Sequence, residues 1–209
     1  MTGVVLLALI LFVVVPWCFP YRHVVNLAAP GDVVAVLGDS IPAGHGEGVG
    51  ESRAWPTLVA HRLGLRIKNF SVPGDTTEKG LARLRDVLAE HPRLVIVELG
   101  GNDMLGSVDV HAMKQNLVAI FSGIQETGAC VTYVAVPTPM RAEYAEAWEL
   151  ACRENGVWYV PNIMKGVLSN RQLMGDFIHP NAAGQEVLAD RMESELRDLL
   201  RAADRKRGR

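Results

Sequence analysis

Cysteine is scarce in this chain. Three cysteines in 209 residues, Cys18, Cys130 and Cys152, make no disulfide framework. No Cys-x-x-Cys occurs, and the spacing fits no zinc pattern. Cys130 and Cys152 read as small buried apolar groups, with a mutual pair in an oxidising compartment as the alternative. An excess of one charge is also missing: 21 basic residues face 23 acidic ones, for a net charge of −2. Without a global basic field, no nucleic acid partner is expected. Aromatic residues are only 6% of the chain and offer few platforms for stacking on sugars. Disorder is excluded by 49% hydrophobic and 21% charged residues. The length suits one domain able to bury roughly 70% of its unfolded surface without metal or disulfides.

The first charged side chain is Arg22. Val4 to Val15 is an unbroken run of twelve apolar residues. With Pro16, Trp17, Cys18 and Phe19 the uncharged stretch approaches the length of a membrane span, about 17–25 residues. A cleaved signal peptide wants a basic start and small residues at the cleavage site, and neither is here. Residues 1–25 are therefore expected to be a retained membrane anchor. The alternatives are a cleaved signal segment and a buried first element of the globular domain. Arg22 and His23 point weakly to a cytoplasmic body.

Asn26 to Asp32, with Pro30 and Gly31, reads as a linker. The globular domain is expected over 26–200 and a basic, solvated tail over 201–209. Contact of that tail with anionic lipid headgroups is the alternative. Short apolar runs at Val33–Leu37, Ile67–Val72, Leu94–Leu99, Val131–Val136 and Val157–Val160 look like buried parallel strands. Helical stripes lie between them: Trp55 to Leu63, then Leu81, Leu84 and Leu88, then Met113, Leu117, Ile120, Phe121 and Ile124. A last stripe joins Leu188, Met192, Leu196 and Leu199. Asp75-x-x-Glu78 marks a helix start, and Asn181 caps the last helix. This alternation predicts an α/β fold with a parallel sheet covered on both faces, and chemistry beyond the carboxyl ends of the strands.

Four signals lie where such chemistry is expected. Gly38-Asp39-Ser40 follows the first strand, with Gly44 just beyond. Gly74 follows the second, within Pro73-Gly74-Asp75-Thr76-Thr77. Gly100-Gly101-Asn102-Asp103 follows the third, and Asn102 can offer its amide to an oxyanion. Asp176-Phe177-Ile178-His179-Pro180 precedes the last helix, and Asp176 can orient His179 as a base. Singly, each is also an ordinary turn or cap. Together they supply a nucleophile, oxyanion donors, a base and its orienter, the parts needed for acyl transfer through serine. No Gly-x-Ser-x-Gly elbow surrounds the nucleophile. Asp39 and Asp103 suit loop-holding hydrogen bonds better than a metal site, since no His or Glu cluster accompanies them.

On these motifs, residues 32 to 200 resemble the SGNH (GDSL-type) hydrolases, and most closely the bacterial thioesterase, lysophospholipase and arylesterase branch. Ala54-Trp55-Pro56, Gly80-Leu81-Ala82-Arg83-Leu84 and Val97-Glu98-Leu99-Gly100 look like that branch too. The resemblance implies a three-layer α/β/α sandwich on a five-stranded parallel sheet of flavodoxin-like order. It implies Ser40 as nucleophile, His179 as base and Asp176 as its orienter. The oxyanion hole would be formed by Ser40, Gly74 and Asn102. Ile41, where Leu is usual, and Pro42 depart from the pattern without removing a catalytic group. The expected function is a serine esterase acting on an acyl ester, thioester or lysolipid, needing no cofactor and no metal. By analogy its catalytic domain is extracytoplasmic. A carbohydrate O-acetylesterase and a non-catalytic ligand-binding protein on the same fold are the alternatives. Met104, Leu105, Pro139, Met140 and Tyr144 are candidate walls for an acyl chain, or ordinary packing residues.

Overall fold

The computed structural model describes residues 23–46, 48–137 and 141–208. The expected anchor over 1–25 thus lies outside the described residues up to residue 22, as do Pro139 and Met140.

Five strands form one parallel sheet: β1 Val33–Gly38, β2 Arg66–Asn69, β3 Leu94–Glu98, β4 Cys130–Val134 and β5 Trp158–Val160. Their spatial order is β2-β1-β3-β4-β5 with every pairing parallel. This is the flavodoxin-like order expected from the sequence. The apolar runs work through the two-residue period of a strand. Val34 and Val36 face one core, while Ala35 and Leu37 face the other. Leu94 and Ile96 against Val95 and Val97 repeat the division on β3.

The helices are α1 Trp55–Leu63, α2 Thr77–Ala82, α3 Leu84–Leu88, α4 Gly101–Leu105, α5 Val110–Glu126, α6 Ala142–Glu154 and α7 Ala182–Arg207. Trp55 and Val59 of α1 pack with Leu188, Met192, Leu196 and Leu199 of α7 over one face. Leu84 and Val87 of α3, the predicted stripe of α5, and Trp148 of α6 cover the other. Pro56 sits in the first turn of α1, where its missing N–H costs nothing. Asn181 caps α7 by accepting from the Gly184 N–H at 3.0 Å. The cap of α2 is Thr76 rather than Asp75. Asp75 turns inward and pairs with Arg83 at 2.6 Å.

Two segments differ from expectation. Residues 26–32 do not form a free linker. Asn26 donates to the carbonyls of Gln125 and Ala129 at 2.8 and 3.1 Å, and Leu27 and Ala29 are buried. The segment is docked at the amino-terminal edge of the sheet. The basic segment beginning at residue 201 is no separate tail either, because α7 continues to Arg207 and buries Ala202 and Ala203. Cys130 and Cys152 are both free and buried. Among the described residues, no helix is long and apolar enough to cross a membrane.

Candidate active site

The sequence after β1 breaks from the sheet at Asp39 and brings Ser40 over the carboxyl end of the strands. A Cβ on Gly38 would strike Pro42 and the Ser71 hydroxyl, so only glycine lets the chain turn there. The Ser40 carbonyl accepts from the His45 N–H at 2.9 Å, which holds the turn.

His179 reaches Ser40 from the loop before α7. Its Nε2 lies 3.0 Å from Ser40 Oγ, and its Nδ1 lies 2.7 Å from Asp176 Oδ2. A carboxylate only accepts, so the shared proton sits on Nδ1, and Nε2 is left to accept from the Ser40 hydroxyl. Asp176 Oδ1 accepts from the N–H groups of Ile178 and His179 at 2.8 and 2.7 Å. The His179 side chain, followed by these backbone N–H groups, holds the Asp176 carboxyl down to about 2, although the side chain is 48% exposed. The ring of His45 packs edge-on against His179 at 4.7 Å between centroids.

Asn102 lies in the first turn of α4. Gly100, before that helix, has φ of 107°, and a Cβ there would meet Trp148 Nε1 at 2.7 Å. Glycine is needed for both reasons. Asn102 Nδ2 donates to the Asp75 carbonyl at 2.9 Å and makes a long contact with Asp39 Oδ2 at 3.4 Å. That bond ties the loop carrying Gly74 to α4. Gly74 has φ of 82°, again a glycine conformation. Among the described residues, the N–H groups of Ser40 and Gly74 have no acceptor within the protein. Arg83 braces the same region, donating to the carbonyls of Phe70 and Gly38 while paired with Asp75.

A cavity of about 420 Å³ opens beside Ser40. Ser40, Asn102 and His179 line it, with apolar walls from Met104, Leu105, Val136, Met164, Leu168, Phe177 and Ile178. Met104 and Leu105 were expected there. Tyr144 was also expected, and the structure corrects that reading: it is buried among the residues of the α5–α6 core, and its hydroxyl donates to the Val108 carbonyl. Gly74 is outside the lining and reaches the site through the Asn102–Asp75 link. The walls from Met164, Leu168 and Val136 carry no sequence signal that separates them from core residues. Phe177 and Ile178 were legible only as spacers between Asp176 and His179. Arg141, at the cavity rim, stacks its guanidinium over the Tyr144 ring at 4.7 Å.

Beneath the site lie two buried acids. Burial pushes the Asp39 carboxyl up to about 7, against the Ile41 N–H that lowers it. Glu98 is pushed well above the usual range, first by burial and then by Asp39. The Trp55 indole donates to Glu98 Oε2 at 3.1 Å. Asp103 holds loops, as expected, by accepting from the Thr77 N–H and hydroxyl. Among the described residues, no group of three or more His, Cys, Asp or Glu side chains is placed to hold a metal ion.

The chain is similar to known proteins. Residues 36–187 match the model of the GDSL-like Lipase/Acylhydrolase family. The chain is 34% identical over 197 residues to "Thioesterase 1/protease 1/lysophospholipase L1" of Escherichia coli K12, covering 88% of this chain and 94% of that protein. It is 34% identical over 186 residues to "Esterase TesA" of Pseudomonas aeruginosa, covering 82% of this chain and 91% of that protein. A crystal structure of TesA superimposes with a TM-score of 0.75 at 32% identity, over 80% of this chain and 99% of that one. The family model spans Ser40, Asn102 and His179, the relatives and the fold cover four fifths or more of the chain, and the chain belongs to the GDSL-like lipase/acylhydrolase family of ester hydrolases.

Proposed function

We propose that the chain hydrolyses acyl esters or thioesters of apolar acids through Ser40. The observation that carries this reading is the chain of contacts Ser40–His179–Asp176 opening on an apolar cavity. His179 takes the Ser40 proton as Oγ attacks the acyl carbonyl. The oxyanion is held by the N–H groups of Ser40 and Gly74 and by the Asn102 amide. His179 then gives the proton to the leaving alkoxide or thiolate, and water repeats the steps on the acyl-enzyme. Apolar walls favour an alkyl chain over a sugar. Thioesters and lysolipids are the leading substrate classes, in keeping with the relatives' names.

Assay of the full chain in mild detergent against p-nitrophenyl esters from acetate to palmitate tests this. Activity should rise beyond acetate and vanish in Ser40→Ala. An acetate optimum would move the reading to an acetylesterase, and an unchanged Ser40→Ala variant would end it.

The apolar run Val4–Val15 supports attachment to a membrane, and likeness to the family supports an extracytoplasmic catalytic domain. Residues 23–29 dock at the amino-terminal edge of the sheet, at the opposite end from the cavity. Recovery of the full chain in carbonate-washed membranes would support attachment, and its release into the wash would oppose it.

A further inference from the structure

Asn102 has two amide hydrogens, and both have partners in the resting site. One makes a well-formed bond to the Asp75 carbonyl at 2.9 Å. The other faces Asp39 Oδ2 at 3.4 Å, beyond the ordinary range for N–H···O bonds. The first holds the amide in place. An oxyanion at Ser40 must therefore take the second hydrogen away from Asp39. Asp39 is 4% exposed, lines the same cavity, and spends its Oδ1 on the Ile41 N–H at 3.1 Å. Its Oδ2 is left for Asn102.

Resting on the Ser40 reading, we infer that Asp39 is the positioning residue of the oxyanion hole, lending Asn102 to the substrate as a neutral acid and withholding it as a carboxylate. A neutral carboxyl oxygen is a weak acceptor that yields its hydrogen to an oxyanion. A carboxylate binds the same hydrogen about twice as strongly and repels the developing negative charge.

The surroundings favour the neutral form. Glu98 approaches from the end of β3, in register with Gly38. Asp75 faces Asp39 from the loop after β2, and Asp103 from α4. Both oppose its ionisation. His179, from the loop before α7, and the Ile41 N–H favour ionisation. Arg83 is engaged by Asp75 and by two carbonyls, and so does not neutralise Asp39. Burial outweighs these, and the carboxyl is pushed up to about 7.

The test is the pH dependence of kcat for the full chain on a soluble acyl ester, with the Ser40→Ala rate subtracted. Wild type should lose about tenfold or more through a single alkaline step centred at about 7. Asp39→Asn, a fixed neutral amide, should lack that step and keep the acid limb. Asn102→Ala, with its residual activity, should lack it too, because the step acts through Asn102. Should Asp39→Asn fail to fold, the Asn102→Ala profile decides. Retention of the step in either folded variant would overturn the inference, as would an equal loss in Asp39→Asn at every pH. Activity independent of Ser40 would overturn the Ser40 reading itself.

Discussion

The Asp103 carboxylate accepts two hydrogen bonds from Thr77, one from its N–H at 2.9 Å and one from its hydroxyl at 2.6 Å. Asp103 follows Asn102 on α4, and Thr77 begins α2, three residues after Gly74. Two loops from different strands are thereby locked together, one carrying Gly74 and the other Asn102, the two donors proposed for the oxyanion beside the Ser40 N–H. Asn116 donates to the Thr77 hydroxyl at 3.2 Å and closes the group.

Removing that lock should cost both stability and rate. Asp103→Ala leaves the buried Thr77 N–H and hydroxyl without their acceptor, at about 3 kcal/mol. Urea denaturation should show that loss. The folded variant should also lose kcat with little change in KM, since the ground-state ester does not need the hole. A variant equal to wild type in both would remove Asp103 from this role.

Asn102→Ala deletes the amide hydrogen that would pass from Asp39 to the oxyanion, together with the bond to the Asp75 carbonyl. It should lower kcat about 10²–10³-fold and leave KM nearly unchanged. Steady-state kinetics on one ester checks this. A rise in KM alone would place Asn102 in ground-state binding.

Phe177 stands 96% exposed at the rim of the cavity, between the two residues that flank it in the motif. At that exposure its ring buries little surface against the fold. Phe177→Ala should change stability by less than about 0.5 kcal/mol. For a long-chain ester, kcat/KM should fall about 5- to 30-fold as apolar contact is lost, and acetate should be little affected. A uniform loss across chain lengths would contradict contact with the acyl chain.

Stability should carry an opposing pair of pH slopes. Asp39 is raised to about 7 from 3.8, so the native state keeps a proton that the unfolded chain releases. Its contribution is greatest below about 4 and declines as pH rises toward 7. Asp176 is lowered to about 2, so its contribution is present above about 4 and is lost as pH falls through 2. Unfolding free energies between pH 4.5 and 7.5 should fall less steeply in Asp39→Asn than in wild type. Identical slopes would show that Asp39 titrates alike in both states.

Strands β1, β3, β4 and β5 were legible because each is a short, largely apolar and buried run, whereas the edge strand β2, Arg66–Asn69, carries Arg66, Lys68 and Asn69 and is only partly buried. Helix stripes were legible for the same reason, as α5 shows with Met113, Leu117, Ile120, Phe121 and Ile124 all buried. Ser40, Asn102 and His179, which line one cavity, could be singled out because their neighbours are glycine, aspartate and proline, residues that ordinary packing does not ask for in those combinations. Tyr144 could not be placed, since an apolar ring looks the same in sequence whether it faces a cavity or a core. Met164 and Leu168 were hidden in the same way. Thr76 took the cap from Asp75 because Arg83, eight residues on, offered the carboxylate an ion pair indoors. The 201–207 turns looked like a solvated tail from their charge, yet Ala202 and Ala203 keep a face on the core.

The claim on which the account rests is that Ser40 is the nucleophile activated by His179 at 3.0 Å. The direct measurement is labelling of the full chain with a fluorophosphonate, followed by peptide mass spectrometry. One adduct is expected, on Ser40, formed far more slowly in His179→Ala and absent in Ser40→Ala. Labelling at another serine, or none in folded protein that hydrolyses esters, would contradict it.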